Sequence, residues 1–174
     1  MGKKRKIIYI TGISGTGKTT LAKEFLERGN CTIDLDKFSH WEHKESREIN
    51  HWFPGASRDF LENHEWVCNL DALKKFFKEH KNENIFVFGI VDKEKEAFLL
   101  FDIIILLQIS IETAFRRVDL RNDNVFGKGN TEKEWIKSWK NDFEKDLIAK
   151  GATPVSAEDK INVVVKNIVD ICKI

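Results

Sequence analysis

The chain has 174 residues, 41% hydrophobic and 33% charged, which is enough apolar material for a packed core and excludes a disordered chain. Its longest apolar run, Phe98 to Ile109, is interrupted by Asp102 and Gln108 and falls well short of the ~20 residues a membrane helix needs, so no membrane partner is expected. Lys and Arg number 29 against 28 for Asp and Glu, a net charge of +1, so no global field recruits nucleic acid or anionic lipid and partners must be sought at a local site.

The basic start, MGKKRK, reads as a solvated terminus or a small basic patch, and Lys6 stands where a myristoylation signal needs Ser or Thr. No hydrophobic signal stretch follows it. Cys31, Cys68 and Cys172 form no C-x-x-C pair and are odd in number, so a reducing, cytoplasmic setting is expected. Lys6 to Thr11, KIIYIT, predicts a strand buried on both faces, and Gly17 to Arg28 predicts a helix, with Leu21, Ala22, Phe25 and Leu26 at helical spacing before Gly29-Asn30. Cys31 to Leu35 reads as a second strand. The stretch from Asp36 to Glu65 is the least periodic, rich in His, Trp and Arg, with a turn at Pro54-Gly55.

Further on, Asn69 to His80 reads as a helix, Ile85 to Val91 as a strand, and Phe101 to Ile109 as the strongest strand. Ser110 is placed to cap a helix running to about Arg121. Asn122 to Asn130 is a polar Gly-containing loop. The pattern Thr131 to Glu134 reads as a capping box opening a helix toward Lys150, and Ser156 to Asp159 as a second one before a final helix, with a brief strand at Ala152 to Val155. Strands thus alternate with helices, which indicates an α/β fold with one parallel sheet covered by helices on both faces. No repeat or linker interrupts residues 1–174, and a single domain is expected.

Gly12-Ile13-Ser14-Gly15-Thr16-Gly17-Lys18-Thr19 is a complete G-x-x-x-x-G-K-[ST] motif. It begins where a predicted strand ends and finishes where a predicted helix begins, as a phosphate cradle requires. Gly12, Ser14, Gly15, Thr16, Gly17, Lys18, Thr19 and Thr20 are the candidate nucleotide contacts. In this motif the Lys18 ammonium neutralises β- and γ-phosphates and the Thr19 hydroxyl is a ligand for Mg²⁺. No N-K-x-D segment for guanine is present. The nearest counterpart of an acidic strand end is Val91-Asp92, where Asp92 is a candidate metal-associated carboxylate beside the solvated run Lys93 to Glu96.

Asp34 and Asp36 close the second strand, and in extended backbone residues two apart point the same way. In a parallel α/β sheet that edge faces the ligand crevice. One carboxylate would serve the Mg²⁺ shell and the other accept a proton from an attacking hydroxyl; alternatively, an Asp caps the next helix. Trp41, Trp52, Phe53 and Trp66, with Arg47 and Arg58, either stack and hold an anionic acceptor or form a local core. His40, His43, His51, His64 and His80 show no spacing typical of zinc and read as solvated or structural.

With these residues in place, the chain resembles the P-loop small-molecule kinases, the group containing adenylate, shikimate and gluconate kinases, over essentially its whole length. GISGTGKTTLAKEF is similar to their phosphate loop, DLD at Asp34 to Asp36 to the D-x-D of shikimate kinase, and FVFGI places Gly89 at a strand end beside substrate. The segment GIVDK departs from both the adenylate and the shikimate kinase patterns. The resemblance implies a three-layer P-loop NTPase fold with a five-stranded parallel sheet in the order 2-3-1-4-5. It also implies a substrate-side segment at 36–66, a short lid at 122–131, and adenine near Pro154 to Ala157. FRRVDLR is similar to the family's pre-lid helix, so Arg117 and Arg121 are implied to reach ATP and the transferring phosphate, with Arg116 facing elsewhere.

The expectation is an ATP- and Mg²⁺-dependent phosphotransferase. Lys18, Asp36, Arg117 and Arg121 are its catalytic candidates, Arg117 also contacts nucleotide, Asp34, Asp36, Arg58 and Gly89 lie on the acceptor side, and Thr19 with Asp34 hold the metal. A nucleoside or nucleotide is the first acceptor, with a shikimate- or sugar-type alcohol next and a nucleic-acid 5′-hydroxyl third, disfavoured by the neutral charge. The competing class is a nucleotide-binding module or slow ATPase acting through a protein partner. No nucleic acid is expected as partner, and a monomer is the expected state.

Overall fold

The computed structural model describes residues 5–81, 83–91, 95–122 and 124–174. Residues 1–4 of the basic start, together with Asp92, Lys93 and Glu94, lie outside them. In chain order the elements are β1 (Ile7–Thr11), α1 (Lys18–Glu27), β2 (Cys31–Asp34), a 3₁₀ turn (Leu35–Phe38), β3 (Ser39–His43), β4 (Ile49–Asn50), α2 (Arg58–Asn63) and β5 (His64–Cys68). There follow α3 (Leu70–Glu79), β6 (Ile85–Phe88), α4 (Lys95–Phe98), β7 (Ile103–Gln108), α5 (Ile111–Leu120), α6 (Asn130–Ala149), β8 (Thr153–Ser156) and α7 (Ile161–Cys172).

Five strands form a parallel sheet in the order β2-β6-β1-β7-β8. Counting the parallel strands alone, this is the expected 2-3-1-4-5. Every residue of β1 and β6 is buried, as near-continuous apolar strands in the middle of a parallel sheet must be. On one face Ile8, Ile10, Phe86, Phe88 and Leu107 pack with Leu21 and Phe25 of α1 and Val164, Val165 and Ile168 of α7. On the other, Tyr9, Ile33, Ile85 and Val87 pack with Leu73 and Phe77 of α3, and Leu106 packs with Leu147 of α6. Phe25 stacks on Phe86 at 4.2 Å between centroids. Among the described residues no helix is long and apolar enough to cross a membrane.

The helix ends correct two expectations. Ser110 caps α5 through its side chain, accepting from Thr113 N at 3.3 Å, as predicted. The Thr131 to Glu134 box does not form, because α6 begins at Asn130 with Gly129 as its N-cap and Glu132, not Glu134, reaching back to the Gly129 N–H at 3.2 Å. Nor does Ser156 to Asp159 cap α7, whose N-cap is Lys160 with no side-chain bond. Ser156 Oγ instead accepts from Glu158 N at 3.3 Å.

Within the aperiodic 36–66 segment the chain builds a second sheet, antiparallel, in the order β4-β3-β5. It escapes notice in the sequence because its strands are short and charged. Their charges cancel internally, with Arg47 pairing to both Glu42 and Glu65 and His40 Nε2 meeting Glu42 at 3.1 Å. Trp41 pairs with Trp66 across the ladder and is only 9% exposed. Its ring meets Phe60 of α2, Trp66, Phe126 and Trp135 of α6 within 6.3 Å. Of the two readings for these aromatics, the local core is the one realised for Trp41.

Trp41→Ala is expected to cost about 3–5 kcal/mol, the usual loss for a buried large aromatic. Urea unfolding monitored by circular dichroism checks it, and a loss under ~1 kcal/mol would mean that the ring is dispensable.

Candidate active site

The phosphate loop joins β1 to α1. At Gly15 φ is +90°, and an added Cβ would lie 2.3 Å from the Ala114 carbonyl oxygen of α5, so only glycine lets the loop rest on that helix. The helix α1 starts with no side-chain cap and no acidic residue in its first turn. Its N-terminal N–H groups and positive dipole end are therefore left to an anion. Thr19 and Thr20 are exposed there, Ser14 is half-buried, and Thr16 is buried with its hydroxyl donating to Ile13 O at 2.9 Å.

Lys18 folds its ammonium into the floor of the loop, donating to Gly12 O at 2.6 Å and Ile13 O at 2.9 Å. It keeps part of its surface in water, yet the protein packed round its nitrogen brings its pKa down to about 8. Burial is the main cause, the Arg121 charge adds to it, and Asp36 and Asp34 oppose it. One electrostatic neighbourhood therefore unites Lys18, Asp34, Asp36 and Arg121.

The two aspartates do not project side by side from extended backbone. β2 ends at Asp34 and the chain turns at once into the 3₁₀ helix, with Asp34 Oδ1 accepting from Asp36 N at 3.0 Å. Asp34 is thus a cap, and its bond aims Asp36. Asp36 is exposed at its surface, yet the protein packed round its carboxyl pushes it up, the Asp34 charge adds to this, and Lys18 pulls against it. Gly89, with φ +145°, meets this turn from the end of β6, where an added Cβ would stand 2.7 Å from Leu35 Cβ. Close packing of the Asp-bearing turn is what this glycine permits.

Arg117 and Arg121 diverge, because α5 stops at Leu120 and Arg121 is its extended C-cap. The Arg117 guanidinium donates to Ala157 O at 2.9 Å, in the β8–α7 loop. That of Arg121 donates to Asn124 O at 2.8 Å and Phe126 O at 2.5 Å, holding the 122–131 loop. Arg116 is exposed. Arg58 lies on the exposed side of α2, paired with Glu62 at 2.5 Å, and no described contact brings it to the loop.

Two acidic residues escaped the sequence reading. Glu132, 2% exposed, accepts from Gly127 N at 2.7 Å and Gly129 N at 3.2 Å, which fastens the same loop from the α6 side. A glutamate three residues after Gly129 was its available signal. Glu158 accepts from Ser110 N at 2.8 Å and Ser110 Oγ at 2.7 Å, and these bonds hold its carboxyl below the usual range. It ties the β8–α7 loop to the start of α5. Beside it an open cleft of about 500 Å³, lined by Gln108, Ser110, Lys140, Pro154, Ser156 and Glu158, lies at the carboxyl ends of β7 and β8.

The sequence pattern of a family described as "AAA domain" matches residues 8–137. Curated protein sequences give no match. Solved structures do. Deoxyadenosine kinase from M. mycoides with bound dATP is 19% identical with a TM-score of 0.60, covering 97% of this chain and 100% of that one. Shikimate kinase from Bacteroides thetaiotaomicron is 18% identical with a TM-score of 0.59, covering 97% and 99%. A gluconokinase from Sinorhizobium meliloti 1021 is 14% identical with a TM-score of 0.54, covering 95% and 90%. At these identities the likeness is one of fold, and that fold is the three-layer P-loop architecture.

Two outcomes follow from the geometry. Below about pH 8 Lys18 is already charged for a phosphate, whereas above it binding must reload the proton, so affinity for a nucleoside triphosphate should fall about tenfold per pH unit. Calorimetric titration on either side of that value measures it, and an affinity that holds steady as pH rises would remove Lys18 from charge recognition. Glu132→Ala orphans two backbone donors and should lower stability by about 2 kcal/mol, read from the urea midpoint.

Proposed function

Because the chain belongs to the AAA-domain family, in which it carries an intact phosphate loop, we propose that it is a kinase moving the γ-phosphoryl group of ATP to a small-molecule acceptor, a nucleoside or nucleotide first. The observation that carries this reading is the placement of Asp36 within electrostatic reach of Lys18. A carboxyl there, drawn upward toward the operating pH, suits a base that takes a proton from an acceptor hydroxyl. The fold shared with deoxyadenosine kinase, shikimate kinase and gluconokinase supports the same class, and the dATP-bound deoxyadenosine kinase favours a nucleoside-type acceptor over an alcohol.

In this mechanism the backbone N–H groups from Gly12 to Thr19 and the dipole of α1 hold the phosphates. Lys18 exchanges its loop carbonyls for β- and γ-phosphate oxygens. Asp36 orients the acceptor and takes its proton, with Asp34 fixing the turn that aims it. Arg121, held beside Lys18, stabilises charge on the transferring group. Arg117 stands at the Ala157 loop, on the adenine side, where the cleft at Pro154 and Ser156 has the size of a small-ligand site. The loop held by Arg121 and Glu132 closes over the phosphates and excludes water. The Thr19 hydroxyl and the Asp34 carboxylate are hard oxygen donors that fit Mg²⁺, which when bound neutralises phosphate charge.

The test is ATP turnover against nucleosides, nucleoside monophosphates, sugars, shikimate and oligonucleotides, with the phosphorylated product identified by mass. One acceptor class should accelerate ATP consumption. Lys18→Ala should lose at least about 100-fold in transfer. Asp36→Asn should lower kcat by about 10²–10⁴, abolish the acid limb of the pH profile and leave ATP binding nearly unchanged. Transfer surviving Lys18→Ala sinks the assignment, and ATP consumption indifferent to every acceptor points to a slow ATPase or sensor instead.

A further inference from the structure

The opposite edge of the sheet carries a second group of ligating side chains. Cys31 opens β2, His80 ends α3, and Glu83 lies two residues before Ile85, the partner of Cys31 in the β2–β6 ladder. Each offers one ligand atom, and the three atoms lie within 4.8 Å of one another. They are 49 and 52 positions apart from Cys31 along the chain, so no local spacing marks them.

The fold holds two of the three donors. Cys31 is fixed by the ladder, which pairs it with Ile85. The His80 ring is stacked on Phe76 at 4.0 Å, and its Nδ1 is 3.0 Å from the Phe76 carbonyl oxygen. Nδ1–H donates to that oxygen, so the lone pair is on Nε2, the arrangement found where an imidazole binds metal and its other nitrogen is anchored. Arg5 fixes the backbone below, donating to His80 O at 3.0 Å and Phe77 O at 2.5 Å. Cys31 and His80 are half-buried and Glu83 is exposed, leaving one side open to water.

We propose that Cys31, His80 and Glu83 form a three-ligand site for a borderline-soft divalent cation, Zn²⁺ being the best match. One sulfur, one imidazole nitrogen and one carboxylate oxygen, with water in the fourth position, satisfy tetrahedral zinc. The mixture does not suit Mg²⁺, which takes oxygens. Donors round tetrahedral zinc stand about 3.5 Å apart, so small side-chain rotations close the site. Cys31 binds as thiolate and its proton passes to solvent. The ion would staple the starts of β2 and β6 to the end of α3, the strands that carry Asp34 and Gly89 at their other ends.

Chelator-treated full-length protein is titrated with Zn²⁺ against a chromophoric competitor, and with Co²⁺ for its absorption. One equivalent of Zn²⁺ should bind, Cys31→Ser and His80→Ala should each weaken it about 100-fold, and Glu83→Gln about tenfold. Co²⁺ should show thiolate charge-transfer absorption that Cys31→Ser removes. Asp34→Asn with Asp36→Asn should leave the zinc affinity unchanged. Circular dichroism verifies folding, and if Cys31→Ser does not fold, His80→Ala and Glu83→Gln carry the same test. No Zn²⁺ binding, binding indifferent to His80 and Glu83, or binding lost in the aspartate pair would each overturn the proposal.

Discussion

The Lys18 ammonium, bonded to the carbonyls of Gly12 and Ile13, sets terms that the surrounding structure must meet, because a cation drawn out of water needs compensating charge close by. Its backbone partners exist only because the loop turns tightly between a buried strand and a helix. Its counter-charges arrive from the end of β2, Asp34 and Asp36, and they work against the like charge of Arg121 at the end of α5. The parallel order places β1 next to β6, and β6 next to β2, so the carboxyl ends bearing these groups open onto one crevice. Rearranging any of these strands would separate the lysine from its counter-charges.

Much of this is legible in the sequence, for a physical reason. A parallel strand buried on both faces is written as an uninterrupted apolar run, and the five that the sheet uses are of that kind or sit at its edge. The G-x-x-x-x-G-K-[ST] spacing specifies its own backbone, so Lys18 and its loop follow from local chemistry. What stays hidden depends on distant partners. β3 and β5 look irregular because Arg47 neutralises Glu42 and Glu65 only once they are paired. Asp34 and Asp36 look equivalent until the chain turns between them. Arg117 and Arg121 read as one helical face because nothing in FRRVDLR says that the helix ends at Leu120.

The loop between α5 and α6 is fastened from both flanks. Arg121 donates to carbonyls on its near side and Glu132 accepts N–H groups on its far side, so opposite charges satisfy opposite ends of the same backbone. Phe126 at its centre touches Trp41, Trp52 and Trp135, which joins the loop to the antiparallel sheet.

That aromatic patch has an optical consequence. The chain contains five tryptophans, and all five belong to it, Trp41 meeting Trp66 and Trp135, Trp135 meeting Trp139, and Trp52 meeting Phe126. The large parallel sheet contains none. Tryptophan emission, excited at the red edge where Tyr9 of β1 does not absorb, is therefore a local gauge of the region beside the phosphate loop, with no label needed to watch it.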